Sequence, residues 1–226
     1  MMLADLLSEC FAADLKECWE RGRTATPIRT FAVRLHATGC SLRETTTILA
    51  ELGVERSHGA VWNWVHRVAD SVPDPPSAQS TRVAVDETAV KINGEWSWLY
   101  AAIDIETKLI LDVQLFGRHG TDPAAAFLHG LRENHDLSDA VFLVDGYGHQ
   151  TAIARLGLSG RLDYVNRNLI EKWFHTRKMR VNRFHNSWVG SRSSAREWVE
   201  QFTHYYNHQR PHQSLNGRTP ADEVLN

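Results

Sequence analysis

Three carboxylates stand in surroundings that do not favour them. Asp86 interrupts the apolar run RVAVDETAVKI, and Asp145 closes AVFLVDGYG. Glu171 is the only acid between Asp163 and Glu197, inside the basic and aromatic stretch YVNRNLIEKWFHTRKMR. A buried carboxylate is costly unless something compensates its charge. If residues 82–92 and 140–148 form neighbouring strands, Asp86 and Asp145 face each other across one strand spacing, roughly 5 Å. Like charges that close raise one pKa sharply unless a cation lies between them, and hard oxygen ligands with open positions suit magnesium or manganese. Glu171 falls in the first turn of a helix, from which a long carboxylate can reach the same ion. Arg167, Lys172, Arg177, Lys178 and Arg180 surround it with charge able to hold phosphates. By itself Glu171 reads as a first-turn glutamate favoured by the helix dipole. Beside Asp86 and Asp145 it reads as the third ligand of a metal-dependent phosphodiester enzyme.

The charge distribution fits that chemistry. Between Val165 and Arg218 ten Lys and Arg face three acids, a net +7, so the remainder of this chain of net charge -2 carries -9. One face then meets a polyanion, or the segment is a solvated helical surface; charge alone leaves both open. The 226 residues, 42% apolar and 23% charged, describe an ordinary globular protein. No apolar run is long enough to span a bilayer, and the N-terminus lacks the pattern of a secretion signal, which predicts a cytoplasmic, nucleoid-associated protein. Cys10, Cys18 and Cys40 form no CxxC pair and fit reduced, packed thiols better than a zinc site.

The elements that must position these groups follow from periodicity. Leu3, Leu6, Leu7, Phe11, Leu15 and Trp19 recur at helical spacing and predict an amphipathic helix within residues 1–26. Residues 27–72 read as three short helices. The second is capped by Ser41 with Glu44 three positions on, and it stops at Leu52-Gly53. Helix, glycine-containing turn, helix is the layout of a helix-turn-helix, in which the last helix enters the major groove. Its outward residues would be His58, Trp62, Asn63, His66 and Arg67, with Val61, Trp64, Val65 and Val68 turned inward. A plain three-helix packing module is the alternative. The three prolines of SVPDPPSAQST mark a linker, placed at 73–81.

Beyond it, residues 82–92, 95–105 and 109–117 are β-type runs, the first two separated by Asn93-Gly94, a strong hairpin signal. Thr121-Asp122-Pro123 opens a helix, 140–148 is a short buried strand, residues 149–156 a short helix, and RLDYV a fifth strand. Two last helices are expected from near Asn168 and Ser193. Three antiparallel strands followed by alternating helices and strands make a mixed five-stranded sheet with helices packed on it, an α/β fold. Trp96 and Trp98 read as sheet packing. Tyr205, Tyr206, Asn207, Arg210, Pro211 and His212 are expected to fix the final helix and its turn to the core.

The stretches VAVDETAVKINGEWSWLYAAIDIETKLILDVQL, FLVDGYG, NLIEKWF and HYYNHQRPHQSLNGRTPADEV resemble, in that order, the DDE transposases of small prokaryotic insertion sequences. The resemblance extends over residues 28–226 and implies a catalytic core of retroviral-integrase, RNase H-like type in residues 82–226. It also implies Asp86, Asp145 and Glu171 as a triad holding two Mg²⁺ ions, with Mn²⁺ as substitute, and an N-terminal helix-turn-helix that reads terminal inverted repeats. The interval from Asp145 to Glu171 is shorter than in many relatives, which makes Glu197 the reserve for the third acid. The implied chemistry is nicking at the 3′ ends of the element followed by strand transfer into target DNA. The implied partners are double-stranded DNA and at least a second copy of the chain, as a homodimer or larger oligomer. A catalytically inactive DNA-binding regulator and a general RNase H-like nuclease are the other readings.

Overall fold

A computed structural model of the chain describes residues 19, 22–69, 75–144, 146–162, 187–188 and 190–225. The expected helix at residues 1–26 lies almost wholly outside them. The chain divides into two compact units, Met1–Pro73 with Glu200–Tyr205, and Asp74–Val199 with Tyr206–Asn226. No helix among the described residues is long and apolar enough to cross a membrane.

The first unit holds three helices, α1 (Thr26–Ala37), α2 (Leu42–Glu51) and α3 (His58–Ala69). Pro27 starts α1 where its missing N–H costs nothing. Ser41 and Glu44 form the expected capping box: the Ser41 hydroxyl accepts from the Glu44 amide at 3.2 Å, and the Glu44 carboxylate accepts from the Ser41 amide at 2.7 Å. Gly53 ends the turn after α2 with φ of +79°. Phe31, Val33, Leu49, Val61, Val65 and Val68 pack as one cluster with Trp19. Arg29 is buried there. Its guanidinium lies over the Trp19 ring at 4.8 Å, and its Nη2 donates to the Trp19 carbonyl at 2.9 Å.

The second unit is built on β1 (Arg82–Ile92), β2 (Glu95–Asp104), β3 (Ile110–Phe116), α4 (Thr121–Asn134), β4 (Val141–Val144), α5 (Tyr147–Arg155), β5 (Ser159–Leu162), the two-residue β6 (Ser187–Trp188), the residues of α6 (Arg192–His204) up to Val199, and α7 (Pro220–Leu225). The sheet runs β3-β2-β1-β4-β5, with β6 beside the far end of β1. β1, β2 and β3 are antiparallel, whereas β4 and β5 run parallel to β1. This is the mixed five-stranded sheet of an RNase H-like core. Asn93 and Gly94 both adopt positive φ, +49° and +87°, as a two-residue hairpin of native twist requires. Asp104 is buried at the end of β2, and its Oδ1 accepts from the amides of Glu106 at 2.6 Å and Thr107 at 3.1 Å, which closes the β2–β3 connection.

Val83, Val85, Tyr100, Leu109 and Leu111 of the antiparallel strands, with Phe142 and Val144 of β4, form a core with Ala124, Phe127, Leu128 and Leu131 of α4 and Ala152 and Ile153 of α5. β5 begins two residues before the expected RLDYV run. Ser159 and Gly160 extend the ladder beside Val141 and Phe142 of β4, and a Cβ at Gly160 would lie 2.7 Å from Ile153, so the close approach of α5 selects glycine inside the strand. The short β6 and the terminal α7 were not expected. Trp96 is corrected: it is 53% exposed at the hairpin end, with the Lys91 ammonium 5.6 Å from its ring. Trp98 packs partly buried against the core, as expected.

In the tail, Tyr205–Gln209 forms one π-helical turn. Asn207 is buried within it and uses both ends of its amide on one residue of the edge strand. Oδ1 accepts from the Ile110 amide and Nδ2 donates to the Ile110 carbonyl, each at 2.9 Å. The amide thus acts as a one-residue strand pairing on the open edge of β3.

Candidate active site

Asp86 is the fifth residue of β1, only 8% exposed, and its Oδ1 accepts from the Glu87 amide at 2.9 Å. The strand alternation puts it on the sheet face opposite α4 and α5, because Val83 and Val85 belong to the core on that side and Asp86 follows them out of phase. β1 is where the sheet changes from antiparallel to parallel. Its β4-side edge pairs with β4 over Arg82–Ala84, in the register Ala84↔Leu143, and with β6 at Lys91–Ile92. Asp86 lies in the interval between these two pairings, just past the end of the β4 ladder. A sheet accommodates a ligand at such a reversal of strand order. A hard oxygen donor held low in exposure at this position suits a divalent cation.

Asp145 and Glu171 lie outside the described residues, as do Arg167, Lys172, Arg177, Lys178 and Arg180. The reserve acid Glu197 is half-buried on α6, with Oε2 shielded from solvent.

On the other face of β1, one position from Asp86, the Glu87 carboxylate meets His149 of α5, Nε2 to Oε2 at 3.2 Å. The contact has the distance of an ion pair without the alignment of a hydrogen bond. The His149 side chain is 4% exposed and that of Glu87 29%. Tyr100 is the cross-strand partner of Glu87, and its ring centroid lies 5.7 Å from that of His149. Its hydroxyl accepts from the Gly120 amide at 3.1 Å. Burial pushes the Tyr100 phenol above its ordinary pKa, and the nearby Glu87 charge adds to the shift. Sequence reasoning missed this cluster. Glu87 alone reads as an outward polar strand residue and His149 as a polar residue in a short helix.

In the first unit, α3 buries Val61, Val65 and Val68 and leaves His58, Trp62, Asn63 and Arg67 exposed, with His66 half-buried. Trp62 is 47% exposed, and its ring centroid lies 3.8 Å from that of His66. The five residues expected to face outward therefore share one side of α3. Gln201 Nε2 donates to the Val65 carbonyl within the same unit.

A family profile described as the DDE domain, of IS240 transposase type, matches residues 80–212. The match takes in β1, the whole sheet and the π-helical turn. The chain belongs to the DDE transposases. This transposase is similar to the transposase for insertion sequence-like element IS431mec of Staphylococcus aureus, at 26% identity over 196 residues, covering 81% of this chain and 86% of that protein. It is also similar to uncharacterized protein MJ0017 of Methanocaldococcus jannaschii, at 23% identity over 195 residues, covering 85% and 91%. Among solved structures, the catalytic core domain of BIV integrase aligns with a TM-score of 0.46 at 13% identity, over 65% of the transposase and 94% of that domain.

Proposed function

We propose that this transposase binds the terminal inverted repeats of its insertion sequence, nicks DNA at the 3′ ends of the element and joins them to target DNA. In this reading Asp86, Asp145 and Glu171 hold the divalent metal. The observation that carries it is the parallel β1–β4 ladder. Ala84 pairs with Leu143, Asp86 is two residues beyond Ala84, and Asp145 is two residues beyond Leu143. Two carboxylates from adjacent strands on one sheet face form a hard, partly open donor set that fits Mg²⁺ or Mn²⁺, taken as a pair of ions. When bound, such ions supply Lewis acidity and positive charge at the scissile phosphate.

The residues of the chain do the rest. β1 holds the Asp86 carboxylate in a fixed direction, with Oδ1 bonded to the next amide. Glu171 brings the third carboxylate from a helix. Arg167, Lys172, Arg177, Lys178 and Arg180 hold the phosphodiester backbone, and charge aimed at developing phosphoryl charge lowers the barrier. The outward side of α3, with His58, Trp62, Asn63, His66 and Arg67, reads base edges in the major groove as the last helix of a helix-turn-helix. Residues 1–26 supply a helical interface and residues 73–81 the linker to the catalytic domain. Joining paired ends needs at least two protomers, so the working form is a homodimer or larger assembly acting on DNA in the cytoplasm at the nucleoid.

The test is Mg²⁺-dependent nicking of a labelled terminal-repeat duplex, with binding followed in parallel. Asp86→Asn and Glu171→Gln each lose nicking by at least about 100-fold, the scale on which preorganised charge acts, and retain binding. Full nicking by Asp86→Asn refutes the site. Full nicking by Glu171→Gln transfers the third role to Glu197. Binding without any nicking by the wild type identifies a regulator, and nicking regardless of repeat sequence a general nuclease.

A further inference from the structure

We infer that Glu87 and His149 are positioning residues which hold the start of α5 against the Asp86 segment of β1 and so shape the metal site. The inference rests on the assignment of Asp86 and Asp145 proposed above. β4 ends at Val144, and α5 begins at Tyr147. Two residues separate them, so the metal site at this end of the sheet is bounded by β4 and by the first turn of α5. β4 is held to β1 by its ladder, through Ala84↔Leu143. The first turn of α5 is held to β1 by His149, whose Nε2 lies 3.2 Å from the Glu87 carboxylate. Both anchors end on the segment Ala84–Glu87 of β1, the segment that carries Asp86.

The pair is built in rather than incidental. His149 is buried against Tyr100, and Tyr100 pairs directly with Glu87 across β1 and β2. A hydrogen bond from the Gly120 amide to the Tyr100 hydroxyl fixes that ring in turn. The N-cap of α5, Gly146, offers no side-chain cap, and His149 ties the first turn of this helix to β1 ahead of the core contacts of Ala152 and Ile153. A partly buried polar contact adds little stability over an apolar pair of the same shape, which points to orientation as its use. Glu87 and Asp86 extend to opposite faces of β1, so Glu87 acts from beneath the metal site and is not one of its ligands.

The experiment measures binding of Mn²⁺ alone to the full chain by electron paramagnetic resonance, beside thermal unfolding, for wild type, Asp86→Asn, His149→Ala, His149→Gln and Glu87→Gln. Loss of partners that orient metal ligands typically weakens binding roughly 10–100-fold. His149→Ala is expected at the low end, about tenfold, and His149→Gln, which keeps a donor towards Glu87, recovers part of the loss. Glu87→Gln, which keeps the shape and removes the charge, weakens Mn²⁺ binding by a few-fold while unfolding as wild type. It decides the matter if His149→Ala does not fold. Wild-type Mn²⁺ affinity in both Glu87→Gln and His149→Gln, whatever their unfolding temperatures, overturns the proposal. So does loss of Mn²⁺ in Glu87→Gln as complete as in Asp86→Asn with His149→Gln unaffected, because Glu87 is then a ligand. Unchanged Mn²⁺ binding by Asp86→Asn refutes the metal-site assignment itself and is read separately.

Discussion

The amide of Asn207 offers the sharpest test of how the tail is joined to the catalytic sheet. Its Oδ1 and Nδ2 satisfy the N–H and C=O of Ile110, each at 2.9 Å, and both residues are buried. Asn207→Ala removes both partners and leaves two buried backbone groups unmatched, each of which costs about 1–3 kcal/mol. Water entering the vacated space recovers part of this. The expected loss is therefore about 2–4 kcal/mol, or roughly 5–15 °C in unfolding temperature for a domain of this size.

Asn207→Asp makes the prediction directional. An ionised carboxylate can accept from the Ile110 amide but has no hydrogen for the Ile110 carbonyl, and it faces that oxygen with negative charge. Its folded pKa is raised, so its contribution is present at low pH and is lost as pH rises through that value. The protonated acid restores both hydrogen bonds. The deficit relative to wild type at the same pH is thus at least that of alanine at pH 7.5 and narrows towards pH 4.5. Urea unfolding of the three proteins at both pH values is the assay. A loss below about 0.5 kcal/mol for alanine, or an aspartate deficit independent of pH, would refute the view that this amide replaces a strand on the edge of β3.

Two further outcomes follow from side chains already described. His135 is held in one neutral tautomer, its Nδ1 accepting from the Ala78 amide at 3.2 Å while Nε2 donates to the Leu111 carbonyl at 3.1 Å, and burial lowers its pKa. Burial, aided by Arg210, also lowers His212, to about 4. Folded pKa values below the ordinary 6.5 mean that stability is full above that pH and is lost as pH falls towards the folded values. Acidification to pH 5 should cost roughly 1–2 kcal/mol through His212, with a loss of the same sign through His135, and a urea midpoint that holds or rises over this window would contradict it. On α3, Arg67→Ala should weaken binding to duplex DNA and reduce the slope of log affinity against log salt by about 1; an unchanged slope would remove Arg67 from the interface.

Much of the fold was legible because it rests on local chemistry. Asn93-Gly94 specified a turn that few other dipeptides can make, and it occurs at positive φ on both residues. Ser41 and Glu44 specified a helix start through two reciprocal hydrogen bonds. The less legible parts depend on partners far apart in sequence. The start of β5 depends on the pairing of Ser159 and Gly160 with β4, and Gly160 admits Ile153 of α5, neither of which the alternation of RLDYV alone can report. Trp96 carries the residue type of a packed strand, but it sits where the hairpin outruns the helices, and Lys91 covers its ring instead of the core. The π-helical turn carries Asn207 onto Ile110, a contact spanning 97 positions.

The candidate site divides along the same physical line. An aspartate inside an apolar strand is visible in sequence because burying a carboxylate is costly, so its presence demands a compensating role. Asp86 was read on that ground, and it lies where β1 parts from β4. Asp104 shows the contrasting case: it is as deeply buried, but one of its carboxylate oxygens accepts from two turn amides two and three residues on. Glu87 and His149 carry no such mark. Each is unremarkable where it stands, and 62 positions separate them. Only when β4 is laid parallel to β1 and α5 is folded back over the sheet do they meet, one residue from Asp86 and four from Asp145 in sequence. A pair of this kind is a product of topology, so a sequence can mark an acid whose burial needs a reason while leaving unmarked the neighbours that meet beneath it.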